Sequence, residues 1–283
     1  MKKQGYEEST IRPSVRALKA IAKRTDLLDS EKAKEYLVNA NLSENRKCKL
    51  SDDLARFYKH MNIPFERPRY RKIQRLPFIP LEQEIDALIA GVGRKTAVFL
   101  QLLKETGIRA GEAWTLKWID IDFQANNVTV TPEKGSEPRR PKLSNNLTAM
   151  LNSLPRKSQH VFHNSNIDHM KSLDDFTRNF QTRRRLLADK LQNPRVCQIS
   201  FKTLRHFKAT ALYAKTKDIL LVMRTLGHRN INNTLVYTHL VDFQNDDYVC
   251  KTANTVDEAK VLVESGFEYV TEIERVRLFR KRK

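Results

Sequence analysis

One stretch, TLGHRNINNTLVYTHL at residues 225–240, places Tyr237 nine residues after His228. Gly227 is the kind of residue that ends a helix, so His228 is predicted just past a helix end. Tyr237 is predicted on the helix that follows. Leucines flank the tyrosine on both sides, and a tyrosine in that setting is usually part of a core. The spacing alone therefore leaves two interpretations of Tyr237, a core aromatic and a nucleophile.

The length and charge of the chain limit what such a nucleophile would attack. The 283 residues are enough for two domains with a sizeable core. They include 52 Lys and Arg against 33 Asp and Glu, which gives a formal net charge of +19. An excess of this size favours a polyanionic partner, because basic side chains neutralise phosphates and release counterions. Charge thus predicts nucleic acid as the partner class, and leaves the reaction open.

The cysteines and the apolar runs indicate a cellular compartment. Cys48, Cys197 and Cys250 are odd in number and far apart, which argues against a disulfide framework or a zinc site. The apolar run at residues 219–223 is too short to cross a bilayer, and the N-terminus lacks the apolar segment of a signal peptide. We therefore expect a cytoplasmic protein that binds no metal or cofactor and does not enter a membrane.

A helical region and a proline-rich connector occupy the first quarter of the chain. Apolar residues recur at helical spacing over residues 11–61. Asp29-Ser30-Glu31 and Ser51-Asp52-Asp53 both resemble the start of a helix. Residues 63–80 contain four prolines and five basic residues, so we expect an extended connector that either follows a phosphate backbone or is a solvated linker. The predicted first domain is residues 1–75.

The rest of the chain mixes helices with a little sheet. LEQEIDALIAG and KTAVFLQLLKETG are amphipathic and end at glycine. This predicts two helices, each with a glycine in the left-handed conformation at its C-terminal end. Alternation over residues 119–144 predicts a small antiparallel sheet. Helical spacing returns over residues 173–191 and from residue 202 to about residue 240. We predict a mainly α fold with a small antiparallel β-sheet (α+β). Its second domain is residues 76–245, followed by a strand-helix-strand-strand tail at residues 246–283.

Two tempting motifs do not support a function. GVGRKT at residues 91–96 lacks the spacing of a phosphate-binding loop and follows a helix instead of a strand. Asp120 and Asp122 share a strand face, but no further acidic or histidine residue stands at ligand spacing. We interpret both aspartates as solvent-facing residues.

Three other stretches carry the residues of interest. ETGIRAGE places Glu112 one helical turn after Arg109, where the carboxylate would hold a guanidinium that still reaches outward. FKTLRHF places Lys202 and Arg205 on one helical face, and LGHRNINNTLVYTH contains the histidine and tyrosine already described. Taken one at a time, these stretches have ordinary explanations: a surface salt bridge, a solvated face and a core aromatic.

Together and in this order, the stretches resemble the active-site boxes of the tyrosine recombinases, the integrase family of site-specific DNA recombinases. The resemblance extends over residues 81–240 and is strongest to archaeal integrases and Xer-type members. The matching positions are Arg109 with Glu112, Lys134 in PEKGSEPRR, Lys202 and Arg205 in KTLR, Leu226-Gly227-His228, and Tyr237. The family usually has histidine where Lys202 stands. The tail also differs from the single helix that many members exchange between subunits.

The resemblance implies a mechanism without metal or ATP. Arg109 and Arg205 would bind the scissile phosphate, and His228 would donate a further hydrogen bond. Tyr237 would attack phosphorus to give a 3′-phosphotyrosyl bond and a free 5′-hydroxyl, to which Lys134 would supply a proton. Lys202 would serve either as a charged phosphate contact, which we favour, or as a general base.

The resemblance also implies an architecture and a partner. A helical, core-binding-like DNA-binding domain and a catalytic domain would form a clamp on double-stranded DNA, with four protomers in the synapse and a monomer or weak dimer in free solution. The tail would contact DNA or another protomer, and the protein would be associated with the nucleoid. The alternatives are a type IB topoisomerase, which shares the phosphate chemistry, and a non-catalytic DNA-binding protein that retains the fold.

Overall fold

The chain forms two compact units, Met1–Arg75 and Leu76–Lys283. The computed structural model describes residues 1–73, 75–133, 135–163, 169–241, 248–273 and 276–282. Within these ranges every helix is too short or too polar to cross a lipid bilayer. The fold is mainly helical with small antiparallel sheets, which confirms the predicted fold class.

The first unit consists of α1 (Glu8–Ala22), α2 (Ser30–Asn39) and α3 (Glu44–Met61), after a short 3₁₀ turn. Asp29 begins α2 as predicted, because its carboxylate accepts hydrogen bonds from the backbone N–H groups of Glu31 and Lys32. The three helices share one apolar core, formed by Ala17, Ile21, Ala33, Leu37, Leu50, Leu54 and Tyr58. The unit therefore buries apolar surface of its own.

Ser51 and Asp53 do not begin a helix, and that prediction is wrong. Both lie in the middle of α3. The Ser51 hydroxyl donates to the carbonyl oxygen of Pro68 at 2.9 Å, and the buried Asp53 carboxylate accepts from Ser14 at 2.8 Å. Arg56 forms an ion pair with the same carboxylate. These polar side chains make tertiary contacts, and their sequence pattern resembles a cap only by coincidence.

Helix α5 (Arg94–Thr106) is the centre of the second unit. The buried ring of Phe99 packs edge-on against four aromatic rings at centroid distances of 5.0–5.9 Å, those of Trp114, Phe162, Phe176 and Phe201. The neighbouring helices are α4 (Glu82–Ala90), α6 (Ala110–Trp114), α7 (Asn145–Asn152), α8 (His169–Lys190), α9 (Phe201–Thr216), α10 (Ile219–Leu226) and α11 (Asn232–Leu235). Helix α5 therefore lies between α6, α8 and α9.

The glycines that end α4 and α5 differ in conformation. Gly107 has φ 66°, the left-handed conformation predicted from the sequence. Gly91 has φ −87°, so the same prediction is wrong at the end of α4. A Cβ atom at Gly91 would lie 2.6 Å from the Leu187 side chain. Glycine at this position permits the close packing of α8.

The sheet of the second unit is short. Strands β1 (Ile121–Asp122) and β2 (Asn127–Val128) pair in antiparallel fashion, and single bridges join Asn127 to Lys142 and Val130 to Arg139. Asp122 accepts hydrogen bonds from two backbone N–H groups of the β1–β2 turn, and Asp120 accepts one from Lys117. Both aspartates thus stabilise local turns.

The tail has a small core of its own. Its elements are β3 (Tyr248–Ala253), α12 (Val256–Glu264), β4 (Glu268–Ile273) and β5 (Val276–Arg282). The strands form an antiparallel sheet in the order β3-β5-β4, and Thr255 caps α12 by accepting from the backbone N–H of Glu258. Ala253, Phe267 and Phe279 are buried between the sheet and the helix.

Replacing the central aromatic residue tests this description of the core. We expect Phe99→Ala to lower the free energy of unfolding by about 3–5 kcal/mol, because it removes a buried ring and leaves a cavity. The control is Ile119→Ala, at a side chain that is 88% exposed, where we expect a change within about 0.5 kcal/mol. Chemical denaturation measures both, and similar effects would contradict the proposed central position of Phe99.

Candidate active site

Arg205 is fixed between the ends of two helices. The residue is 7% exposed, and its guanidinium donates to the carbonyl oxygen of Gly107 at 2.7 Å and to that of Leu226 at 2.7 Å. These carbonyls lie at the C-terminal ends of α5 and α10, where they lack partners within the helix and carry partial negative charge. Burial, with repulsion from Arg109 and Arg139, lowers the pKa of Arg205 to about 10. The side chain stays charged at neutral pH and has further N–H donors for an anion.

Gly227 allows the chain to turn next to this guanidinium. It follows α10 with φ 67°, a conformation that other residues rarely adopt. A Cβ atom there would lie 2.8 Å from Nη1 of Arg139 and 2.9 Å from the carbonyl oxygen of Glu137. The glycine of the LGH stretch is thus required both by its dihedral angles and by its neighbours.

Arg109 is held by a carboxylate from its own turn. The Glu112 carboxylate accepts from the Arg109 backbone N–H at 2.8 Å and from its Nη1 at 3.1 Å. The Arg109 side chain remains 26% exposed. The spacing of three residues between Arg109 and Glu112 predicted this arrangement. The carboxylate holds the guanidinium, which remains open to solvent.

Glu112 is also the acceptor for residues of the β-hairpin region. Its side chain is fully buried and accepts from the Ser136 hydroxyl at 2.7 Å, and it forms an ion pair with Arg139. Burial alone would raise the pKa of this carboxyl. The hydrogen bonds from Arg139 and from the Arg109 backbone outweigh burial and lower the pKa from 4.5 to about 2. Glu112 is therefore an anion that organises the surrounding cations.

Arg139 was not among the residues selected from the sequence. Its side chain is buried, whereas that of its neighbour Arg140 is largely exposed. A signal existed, because strand alternation gives Arg139 the same parity as the buried Leu143 and gives Arg140 the opposite parity. The two prolines nearby obscured the strand pattern.

His228 lies just past α10, as predicted. Its Nδ1 is 2.8 Å from the hydroxyl oxygen of Thr234, which is fully buried. Burial, with repulsion from Arg205, Arg109 and Arg139, lowers the pKa of His228 to about 4. The ring is neutral at pH 7 and is oriented by the threonine.

Tyr237 is buried close to these charges. It lies in the turn between α11 and a 3₁₀ helix at Thr238–Leu240, and not within a continuous helix as the sequence predicted. Its side chain is 2% exposed, and its Oη is 3.0 Å from Nδ1 of His206. Burial raises the pKa of Tyr237, although Arg205 and Arg109 partly oppose this effect. The phenol is protonated in this state.

Two selected lysines stand apart from this group. Lys202 is exposed on the first turn of α9, and its side chain makes no hydrogen bond or ion pair with any other residue that the structure describes. Lys134 lies outside the described residues. The structure thus brings together Arg109, Arg205, His228 and Tyr237, and the two arginines act on the pKa of both His228 and Tyr237.

The chemistry of this group suits an anion and a nucleophilic attack on it. Two guanidiniums offer paired donors that match the oxygens of a phosphate. A neutral imidazole and a phenol lie in the same field of positive charge. In the described part of the chain, no cluster of three or more His, Cys, Asp or Glu residues has the arrangement of a metal site.

Known proteins are similar to this chain in sequence and in fold. Residues 81–243 match the model of the phage integrase family. Tyrosine recombinase XerC of Staphylococcus aureus is 34% identical over 189 residues, and the match spans 62% of the chain and 60% of that protein. XerC of Staphylococcus aureus strain USA300 / TCH1516 is 31% identical over 239 residues, spanning 76% of the chain and 77% of that protein. The fold resembles that of the Tn1549 transposon integrase in complex with circular intermediate DNA, at a TM-score of 0.62 and 17% identity over 93% of the chain and 96% of the integrase.

The two neighbouring arginines of the hairpin region provide a matched test of the Glu112 cluster. We expect Arg139→Ala to lower the free energy of unfolding by about 3–5 kcal/mol, because it leaves a buried carboxylate without its main partner. Arg140→Ala breaks only exposed contacts, an ion pair with Asp122 and a hydrogen bond to Oδ1 of Asn127, so the loss should be at most about 1 kcal/mol. Urea denaturation of both variants measures the difference, and equal losses would contradict the role of Arg139.

The neutral histidines make stability depend on pH. The pKa values of His206 and His228 are both about 4 in the folded chain, against 6.5 ordinarily. As pH falls below 6.5 the unfolded chain binds protons that the folded chain does not, so stability decreases until about pH 4. The slope is at most about 1.4 kcal/mol per pH unit for each histidine. Denaturation between pH 6.5 and 5 should show a shallower slope in the double variant His206→Asn, His228→Asn, and an unchanged slope would refute the assignment.

Proposed function

Because the chain belongs to the phage integrase family, we propose that it is a site-specific DNA recombinase that cuts and rejoins duplex DNA through a 3′-phosphotyrosyl intermediate. The observation that carries this proposal is the position of the Tyr237 phenol in the electrostatic field of Arg205 and Arg109. A core tyrosine has no need of two guanidiniums beside it. A nucleophile for a phosphodiester requires both.

The cations stabilise the charge that develops during attack. Arg205 is held by two carbonyls and Arg109 by Glu112, so both guanidiniums are oriented before DNA arrives. They bind the non-bridging oxygens of the scissile phosphate, and His228 donates a further hydrogen bond. Preorganised donors of this kind lower the barrier because they need no reorganisation during the reaction.

The reaction exchanges one ester bond for another. Oη of Tyr237 forms a bond to phosphorus while the bond from phosphorus to the 5′-oxygen breaks. Lys134 supplies the proton that the leaving 5′-oxygen needs, and Lys202 is a charged contact to the phosphate. The 5′-hydroxyl of a second strand then reverses the step. The ester energy is kept in the covalent bond, so the exchange uses neither ATP nor a metal.

The assembly and the place of action follow from this function. Residues 1–75 act as a helical DNA-binding domain and residues 76–245 as the catalytic domain of a clamp on double-stranded DNA. The first of these carries about half of the net positive charge, which suits a surface that faces phosphates. Four protomers form the synapse, at the nucleoid. Residues 246–283 contact DNA or a neighbouring protomer.

Recombination fits the observations better than DNA relaxation. The relatives described above are named as recombinases and an integrase. A DNA-binding protein without catalysis would have no need to keep two oriented arginines, a neutral histidine and a phenol in one site.

Covalent trapping tests the nucleophile. Nicked duplexes drawn from candidate sites of the source genome are incubated without metal, and adducts are separated on a denaturing gel. We expect an adduct with the wild type and none with Tyr237→Phe, because phenylalanine lacks the attacking oxygen. Tyr213→Phe is the control, since Tyr213 belongs to the same apolar cluster, and it should keep the adduct.

Two outcomes of the trapping experiment would contradict the proposal. An adduct that persists in Tyr237→Phe would mean that another residue attacks. The absence of any wild-type adduct across the candidate duplexes would mean that the chain does not cleave DNA in this way. Sequencing the trapped DNA identifies the site.

A further inference from the structure

His206 is in direct contact with the proposed nucleophile. Its Nδ1 lies 3.0 Å from the Tyr237 hydroxyl oxygen, within the range at which a general base takes a proton. The two residues are 31 positions apart in sequence and meet only in the folded chain. With a side chain that is 2% exposed, Tyr237 has little access to water as a proton acceptor.

Both groups of this hydrogen bond are neutral at pH 7. Burial, with repulsion from Lys202 and Arg205, lowers the pKa of His206 to about 4, so its ring is neutral at pH 7. The phenol holds its proton, because burial raises the pKa of Tyr237. In the tautomer that carries its ring proton on Nε2, the hydroxyl donates and Nδ1 accepts, and this is the tautomer that proton transfer to Nδ1 requires.

Other basic groups near the site are less suited to take this proton. The Lys202 side chain makes no hydrogen bond to Tyr237, and an ammonium group has three donors and no acceptor. Nδ1 of His228 is engaged with Thr234. Among the described residues, His206 is the titratable side chain hydrogen-bonded to the phenol.

We propose that His206 is a catalytic residue whose Nδ1 accepts the phenolic proton of Tyr237 during attack on DNA. This proposal rests on the recombinase function proposed above. As the bond from Oη to phosphorus forms, the proton moves to Nδ1. The bond from phosphorus to the 5′-oxygen breaks, and that oxygen takes a proton from the acid, Lys134. In the rejoining step the 5′-hydroxyl attacks phosphorus and gives its proton to the amine of Lys134. The bond from Oη to phosphorus breaks, and the imidazolium returns its proton to the tyrosine oxygen.

The bound phosphate itself strengthens the base. In the free protein, burial and the nearby positive charge of Lys202 and Arg205 lower the pKa of His206 and keep the imidazole weakly basic. A phosphodiester held by Arg205 and Arg109 brings negative charge next to the ring and offsets that repulsion, which raises the affinity of Nδ1 for a proton. His206 is thus a poor base without DNA and a better one with it.

Helix α9 joins phosphate binding to proton transfer. Arg205 and His206 are consecutive residues of this helix, and their side chains point in directions about 100° apart. One contacts the carbonyls of Gly107 and Leu226, and the other contacts Tyr237. The phosphate ligand and the proton acceptor therefore share a single rigid support.

Single-turnover rates of adduct formation test the proposal on the duplex that traps the wild type. In His206→Asn an amide replaces Nδ1 and keeps a hydrogen-bonding group without a titratable base. We expect a decrease of about 10²-fold or more at pH 7, and a rate that then rises with pH as hydroxide replaces the lost base. His239→Asn is the control, because His239 is exposed and only two residues from Tyr237, and its rate should match the wild type.

Two further measurements separate proton transfer from a structural role. In His206→Ala, added imidazole should restore part of the lost rate. The pH dependence of the restored rate should follow the ionisation of free imidazole. A duplex with sulfur in place of the bridging 5′-oxygen has a leaving group that needs no acid, and on it His206→Asn should remain slow. DNA affinity and unfolding midpoints of the variants should stay close to those of the wild type.

Specific results would overturn the role of His206. A wild-type rate in His206→Asn would mean that the contact does not take part in the chemistry. Full recovery of that variant on the sulfur-substituted duplex would mean that His206 assists the leaving group instead. Both results require that the wild type forms an adduct. If the proposed recombinase function is wrong, the wild type forms no adduct, so the two failures can be told apart.

Discussion

The site depends on how a buried guanidinium is held. Arg205 would be costly to bury without partners, and the ends of two helices supply them through the carbonyls of Gly107 and Leu226. Both helices must therefore end at the right place, and at each end a glycine in the left-handed conformation turns the chain away. His228 follows the second of these glycines directly. The position of His228 thus follows from the need to satisfy one cation.

Burial and the guanidiniums together determine the protonation states near the nucleophile. Burial, followed by three guanidiniums, lowers the pKa of His228, whereas burial raises the pKa of Tyr237 and two of the guanidiniums partly oppose that rise. A positively charged site of this kind destabilises the fold until a phosphate binds, because the cations repel each other. Glu112 offsets part of that repulsion as a permanent buried anion. The positive charge of the site therefore complements a dianion-like transition state, and it is not neutralised when that state is absent.

Sequence reasoning succeeded where the determining contacts are local. The Arg109–Glu112 pair, the Asp29 cap and the conformation of Gly107 each depend on residues within one turn. It failed at Ser51, because polar side chains in the middle of a helix bind distant partners there, and their sequence pattern resembles that of a helix cap. It also gave no sign of the contact between His206 and Tyr237, because no periodicity reports which residue of one helix will face a turn 31 positions away.

The Glu112 carboxylate is shared by three donor side chains, and this has an evolutionary consequence. Arg109, Ser136 and Arg139 all bind one carboxylate, so the effect of changing any of them depends on whether the others are present. Substitutions here are epistatic: a replacement tolerated in one sequence background is deleterious in another. Divergence within the cluster would then proceed by concerted changes, whereas exposed positions such as Ile119 are free to drift one at a time.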